Sequence, residues 1–173
     1  MVKHIYVPLD NSEHSNAAVD VSLALAKSLG ARITGSHVYA AKMHDKRFKQ
    51  MEYTLPEEYR EESELEKQRK IHDTLITMGL KLISDSYLEV LKRRSEKENI
   101  PFTAKMFDGK HFEVLVQDIQ QSDYDLVVIG ALGTGAVKES QIGSVCERTA
   151  RRIKTDTFVC GRDGRSAGKL SIV

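Results

Sequence analysis

Apolar and polar positions along this chain switch repeatedly between a strand-like and a helix-like period. Residues 4–9 (HIYVPL) form a short apolar run that ends at Asp10. Cap-forming side chains follow in Asn11, Ser12, Glu13, His14 and Ser15. Ala17, Ala18, Val21, Leu25, Ala26 and Leu29 then recur at helical spacing, and Gly30 stands where a helix stops. Residues 32–38 read as a second strand. Residues 40–60 break the rhythm: they are charged, hold Pro56 and keep no period, so they read as a loop or short helix inserted after strand two. Residues 61–97 read as helix throughout. Ile71, Leu75, Met78 and Leu82 run at three-and-four spacing as its apolar stripe, continued by Leu88 and Leu91, with charges elsewhere. That length is unusual for a globular helix, so a break is expected within residues 61–67. Gly79 marks a bend or a close approach to a neighbouring element.

Residues 102–106 predict a third strand, and Asp108 with Gly109 a turn. Residues 111–121 predict a helix with Phe112, Leu115, Val116 and Ile119 on one face. Residues 126–129, 144–153 and 157–160 complete the series as strand, helix and strand. Strands alternating with helices predict a Rossmann-like α/β fold, a parallel five-stranded sheet with helices on both faces through right-handed crossovers. Ligands in such sheets bind outside the carboxyl ends of the strands, where the strand order reverses.

The length of 173 residues suits one domain with a sizeable core. Lys and Arg total 26 against 25 Asp and Glu, so no basic excess points to nucleic acid. Apolar runs are strand-length, which predicts no membrane span, and the N-terminus lacks a signal-peptide pattern, which predicts the cytoplasm. Cys146 and Cys160 form no CxxC pair and read as small buried residues. The six histidines make no HExxH pattern, and no metal site is predicted. His14 is the histidine expected nearest a ligand.

The richest chemistry lies between Asp125 and Arg152. The apolar run Leu126, Val127, Val128, Ile129 ends in Gly130; Gly133 follows, and Gly143 with Ser144 opens the next helix. Glycines admit close backbone approach, and a helix start offers unpaired N–H groups, which together suit a phosphate. The loop is neither common type. Ala136 stands where a Walker loop needs lysine, and Lys138 where a dinucleotide fingerprint needs its third glycine. A structural reading is open as well: the glycines serve only turn geometry, and Asp10 and Ser144 serve only as helix caps.

Three stretches resemble the universal stress protein family. They are Val7, Pro8, Leu9, Asp10 with the following Asn11 to Ser15; His37 and Val38 closing strand two; and Gly130-x2-Gly133-x9-Gly143-Ser144, followed by Val145. The loop is similar to that of the ATP-binding branch. The resemblance covers residues 2–160 and implies strand order 3-2-1-4-5. It implies that Asp10 contacts the ribose or adenine side of a nucleotide, with Pro8 and Leu9 lining its approach. Val38 would touch the base. Ile129, Gly130 and Gly133 would run beside the ribose and phosphates, and Gly143, Ser144 and Val145 would hold the phosphates. Two departures stand out. Leu132 occupies a position that is often polar or basic in the family, with Lys138 available to supply charge, and Asn11 replaces a glycine.

The expected function is therefore an ATP-binding regulatory or signalling dimer of the stress response, with magnesium as a companion of the triphosphate. The dimer would form through the last strand, Thr157, Phe158, Val159 and Cys160. Two alternatives stand beside it: a nucleotide-free dimerisation module of the same fold, and a slow ATP hydrolase, since no general base or arginine clamp is evident. The expected domain spans residues 1–161, with the insertion at about residues 40–60. Residues 162–173 read as a tail or linker, or as the start of a truncated second repeat, because Gly168 to Val173 faintly echo Lys3 to Val7.

Overall fold

The computed structural model describes residues 1–136 and 140–162, apart from the side chains of residues 42 and 43. Lys138 and the tail with its repeat-like echo lie outside the described residues.

Five strands form one parallel sheet: β1 (His4–Pro8), β2 (Arg32–Tyr39), β3 (Phe102–Asp108), β4 (Leu126–Gly130) and β5 (Asp156–Cys160), in the order β3-β2-β1-β4-β5. The helices are α1 (Glu13–Leu29), α2 (Ala41–Glu52), α3 (Glu62–Lys97), α4 (His111–Gln120) and α5 (Ser144–Ala150), with a 3-10 turn at Glu57–Tyr59. The inserted stretch is thus mainly helical.

The pleat divides the apolar residues between two cores. Ile5, Val7, Ile33 and Val128 pack under α1 and the C-terminal part of α3, with Ala18, Leu88 and Leu91. Tyr6, Val127, Ile129 and Val159 pack on the other face with Leu115 and Ile119 of α4 and Cys146 of α5. Helix α1 starts at Ser12, whose hydroxyl accepts from the Ser15 N–H, and stops at Gly30 in the left-handed region (φ 65°) that glycine adopts without steric cost.

Three readings of residues 61–97 are corrected. The helix runs unbroken from Glu62 to Lys97, and Gly79 has no atom within 4 Å of where a Cβ would stand. The stripe Ile71, Leu75, Met78, Leu82 does not face the core, since these residues are 60, 63, 64 and 72 % exposed. The buried positions are Leu65, Ser84, Leu88, Leu91 and Ser95. The cause is that α3 has two supports. Its C-terminal part lies on β2, where Ser84 Oγ meets His37 Nδ1 at 2.7 Å and Leu91 presses against Gly35. Its N-terminal part lies on α2, where Arg69 donates to both Glu52 oxygens (2.7 and 2.6 Å) and His72 stacks on Phe48. Both supports touch the opposite side of the helix from the stripe.

Candidate functional site

Order β3-β2-β1-β4-β5 makes the β1–β4 junction the point where connections diverge, so the crevice lies beyond Pro8 and Gly130. Asp10 leaves the end of β1 half-buried, and its carboxylate spans that junction. Oδ1 accepts from the Ser12 N–H at 3.0 Å, and Oδ2 accepts from the Thr134 N–H at 2.9 Å. A second tie runs in parallel, since Ser12 Oγ donates to the Leu132 carbonyl at 3.1 Å. The first turn of α1 and the loop after β4 are thereby held as one unit.

This geometry shows which residues cap the two helices. The cap of α1 is Ser12, not Asp10, and the cap of α5 is Gly143, not Ser144. Asp10 reaches across to the loop instead, and Ser144 is exposed as the first residue of α5. First-turn N–H groups of a helix have no intrahelical acceptor, and no side chain caps this one.

The glycines are required by close approach. A methyl at Gly130 would lie 2.7 Å from His14 C and Ser15 N. One at Gly133 would lie 2.6 Å from Asp10 Oδ2. A methyl at Gly143 would lie 3.3 Å from the Ala131 carbonyl oxygen, which accepts from the Gly143 N–H at 2.7 Å and so folds the loop back on itself. Asn11 holds φ at 59°, the left-handed conformation that asparagine tolerates, which accounts for its standing where a glycine is usual.

Below the loop lies an apolar floor. Val38 and Ile129 (4 and 5 % exposed) belong to one cluster with Tyr6 and Ala131, and Val145 packs against it. Leu9 is in the other cluster, under α1. The structure therefore brings Asp10, Gly130, Gly133 and Gly143 together over Val38, Ile129 and Val145, while Leu9 faces away from that floor.

Sequence reasoning missed Ser12 and Thr134 as parts of this unit. Ser12 read as a cap, which it is, but its hydroxyl serves two partners. Thr134 acts through its backbone and leaves no side-chain signal. His14 is turned toward β5, with Nδ1 3.3 Å from the Cys160 carbonyl. The histidine that senses the Asp10 charge is His37, held against Ser84 of α3 with Nδ1 2.7 Å from its Oγ. Burial holds its pKa below the usual 6.5, aided by the neighbouring charge of His111 and opposed by Asp10. It therefore sits neutral at physiological pH. Among the described residues no group of three or more His, Cys, Asp or Glu is placed to hold a metal ion, and no helix is long and apolar enough to cross a membrane.

The family model described as "Universal stress protein family" matches residues 1–161. The chain belongs to the universal stress protein family. No match was found among curated protein sequences. Among solved structures, this universal stress protein is similar in fold to UspA from Lactobacillus plantarum (16 % identity, TM-score 0.67, covering 92 % of this chain and 97 % of that one). It is also similar to a universal stress protein solved in complex with cAMP (18 %, TM-score 0.57, covering 93 and 98 %). A family protein from Arabidopsis thaliana, solved with AMP bound, matches at 16 % identity and TM-score 0.57, covering 92 % of each chain. Some structural neighbours of this chain thus hold adenine nucleotides.

Proposed function

We propose that this universal stress protein binds an adenine nucleotide, ATP in the first place, in the β1–β4 crevice and works as a nucleotide-responsive regulatory dimer in the stress response. The observation that carries the reading is the Asp10 carboxylate joined to the glycine loop through the Thr134 N–H at 2.9 Å. It supports a single site in which a carboxylate meets ribose or base donors and glycine-loop amides meet phosphate. The residues fit that ligand. Pro8 and Asp10 would line the approach, and Val38 and Ile129 would back the base side, whereas the Leu9 side chain lies under α1 and takes no part. Gly130 and Gly133 would pass along the ribose, and Gly143, Ser144 and Val145 would hold phosphates. The nucleotides bound by the cAMP and AMP relatives favour the adenine class. The described residues offer no metal-ligand cluster of their own, so magnesium would arrive on the triphosphate.

The residues around the crevice give little for hydrolysis. His37 is committed to Ser84 Oγ and His14 to the Cys160 carbonyl. At the far edge of the sheet β5 leaves one side unpaired, with Phe158 and Val159 on it, and that edge would join two copies. One feature favours the nucleotide-free alternative, the apolar Leu132 at the loop's rim.

The test is calorimetric titration with ATP, ADP, AMP and cAMP of the wild type, Asp10→Ala and Ser144→Ala. Asp10→Ala is expected to weaken ATP at least tenfold, about 1.4 kcal/mol, with Ser144→Ala weakening it less. Unchanged affinity in both variants would remove the crevice as the site.

A further inference from the structure

Two arginines converge on one ring of α4. The guanidinium carbon of Arg148 lies 5.0 Å from the centre of the Phe112 ring, and that of Arg152 lies 5.3 Å from it. Arg152 is fixed further by donating to the Arg148 carbonyl at 3.1 Å. Both arginines are exposed, and among the described residues neither is paired with a carboxylate. The nearby acids are committed elsewhere, Glu147 to Arg151 and Glu113 to Lys110. The shared ring keeps the two charges within about 10 Å of each other, inside the screening length at ordinary salt, so they repel with no described acid between them.

The fold gives this pair a direction. Gln120, at the end of α4, donates to the Arg152 carbonyl at 2.9 Å, which sets the end of α4 level with the turn that closes α5. The two helices run the same way, because each follows a strand of one parallel sheet. Phe112 stands eight residues, about 12 Å, back from Gln120, and Ser144 stands eight residues back from Arg152. The Phe112 ring is therefore level with Ser144, at the carboxyl edge of the sheet. Both arginine side chains lean toward the start of α5 to reach it, the direction that helical side chains take. Ser144 and Arg148 are four residues apart and share the face of α5 that is turned to α4.

We infer that Arg148 and Arg152 form a distal phosphate subsite of the crevice, gripping the end of a nucleotide polyphosphate whose first phosphates rest on Gly143, Ser144 and Val145. The inference builds on the nucleotide site proposed above. Chemistry selects the occupant. A guanidinium stacked on an aromatic face keeps its N–H edge free, and that edge matches two oxygens of a phosphate. A terminal phosphate carrying two negative charges removes the repulsion between the arginines, whereas a base or a ribose would leave it. The pair also supplies cations that the loop lacks at Leu132. The consequence is a preference for ATP over AMP, because AMP ends before it reaches the pair.

The experiment is calorimetric titration of the full chain with AMP, ADP and ATP, as wild type, Arg148→Gln/Arg152→Gln and Arg148→Lys/Arg152→Lys. The wild type is expected to bind ATP at least tenfold more tightly than AMP. The glutamine variant should lose at least tenfold in ATP affinity while its AMP affinity changes less than twofold. The lysine variant keeps the charge but loses the planar fork, so its ATP affinity should fall between the two. Both side chains are exposed, so the variants keep the fold, and circular dichroism checks that. An ATP-to-AMP ratio that the glutamine variant leaves unchanged, or a wild type that binds AMP and ATP equally, would overturn the subsite and leave the crevice standing. A wild type that binds none of the three would overturn the crevice and the subsite with it.

Discussion

Replacing Gly130 by alanine tests whether the crevice is built by contact between the β4 end and α1. The added methyl would lie 2.7 Å from His14 C, 2.7 Å from Ser15 N and 3.0 Å from His14 O. Carbon atoms sit comfortably at about 3.5–4.0 Å, so the helix start must retreat by nearly an ångström. It cannot do so freely. Ser15 N is tied to Ser12 Oγ at 3.1 Å, Asn16 N to the Ser12 carbonyl at 2.9 Å, and Ser12 Oγ to the Leu132 carbonyl at 3.1 Å. Overpacking against a fixed backbone costs about 1–3 kcal/mol. At roughly 2–4 °C per kcal/mol for a chain of this size, Tm should fall by about 2–12 °C. Gly135→Ala is the control, because no described atom lies within 4 Å of that Cβ, and its Tm should stay within about 1 °C of wild type. Calorimetry gives the two temperatures, and amide spectra should show Ser12 to Asn16 shifted only in the Gly130 variant. A Gly130→Ala protein with wild-type Tm and unmoved α1 amides would refute the reasoning.

Gly79 stands exposed inside α3 with open space around it, so Gly79→Ala should raise stability by about 0.5–1 kcal/mol in urea titration of dilute protein. Burial pushes the Cys146 thiol up to about 11 and the Cys160 thiol up to about 12, so neither should react with a thiol reagent at pH 7 until denaturant is added; one prompt equivalent would contradict this. Burial holds the His37 pKa below 6.5 in the folded chain, so below that pH the unfolded chain takes up a proton that the folded one refuses. His4 is lowered too, by burial and by Arg32. Stability should therefore be full above pH 6.5 and decline as pH falls toward 5, and His37→Gln should flatten part of that slope.

The alternation of strand-like and helix-like periods made the fold legible, because each strand is a short apolar run bounded by turn residues. Gly30 and Ser12 mark the ends of α1 as their types predict. The glycine spacing after β4 marked the loop, and the close approaches at Gly130 and Gly133 give its physical reason. What the sequence did not reveal were interactions made by the backbone or between distant segments. Thr134 holds Asp10 through an N–H that any residue but proline has. The exposure of Ile71, Leu75, Met78 and Leu82 could not be read either, since helical periodicity shows that a stripe exists but not which surface meets it. Arg69 and Glu52 explain the unbroken α3, and their pairing depends on α2 folding back 17 residues away.

The central claim, an adenine nucleotide in the β1–β4 crevice, is met most directly by one titration. Protein stripped of small molecules and labelled with nitrogen-15 would be titrated with ATP and magnesium, with amide shifts followed residue by residue. The account predicts saturable shifts concentrated at Asp10 to Ser15, His37 and Val38, Gly130 to Thr134, and Gly143 to Cys146. Absence of shifts at millimolar ATP, or saturation confined to α2 and α3, would contradict it.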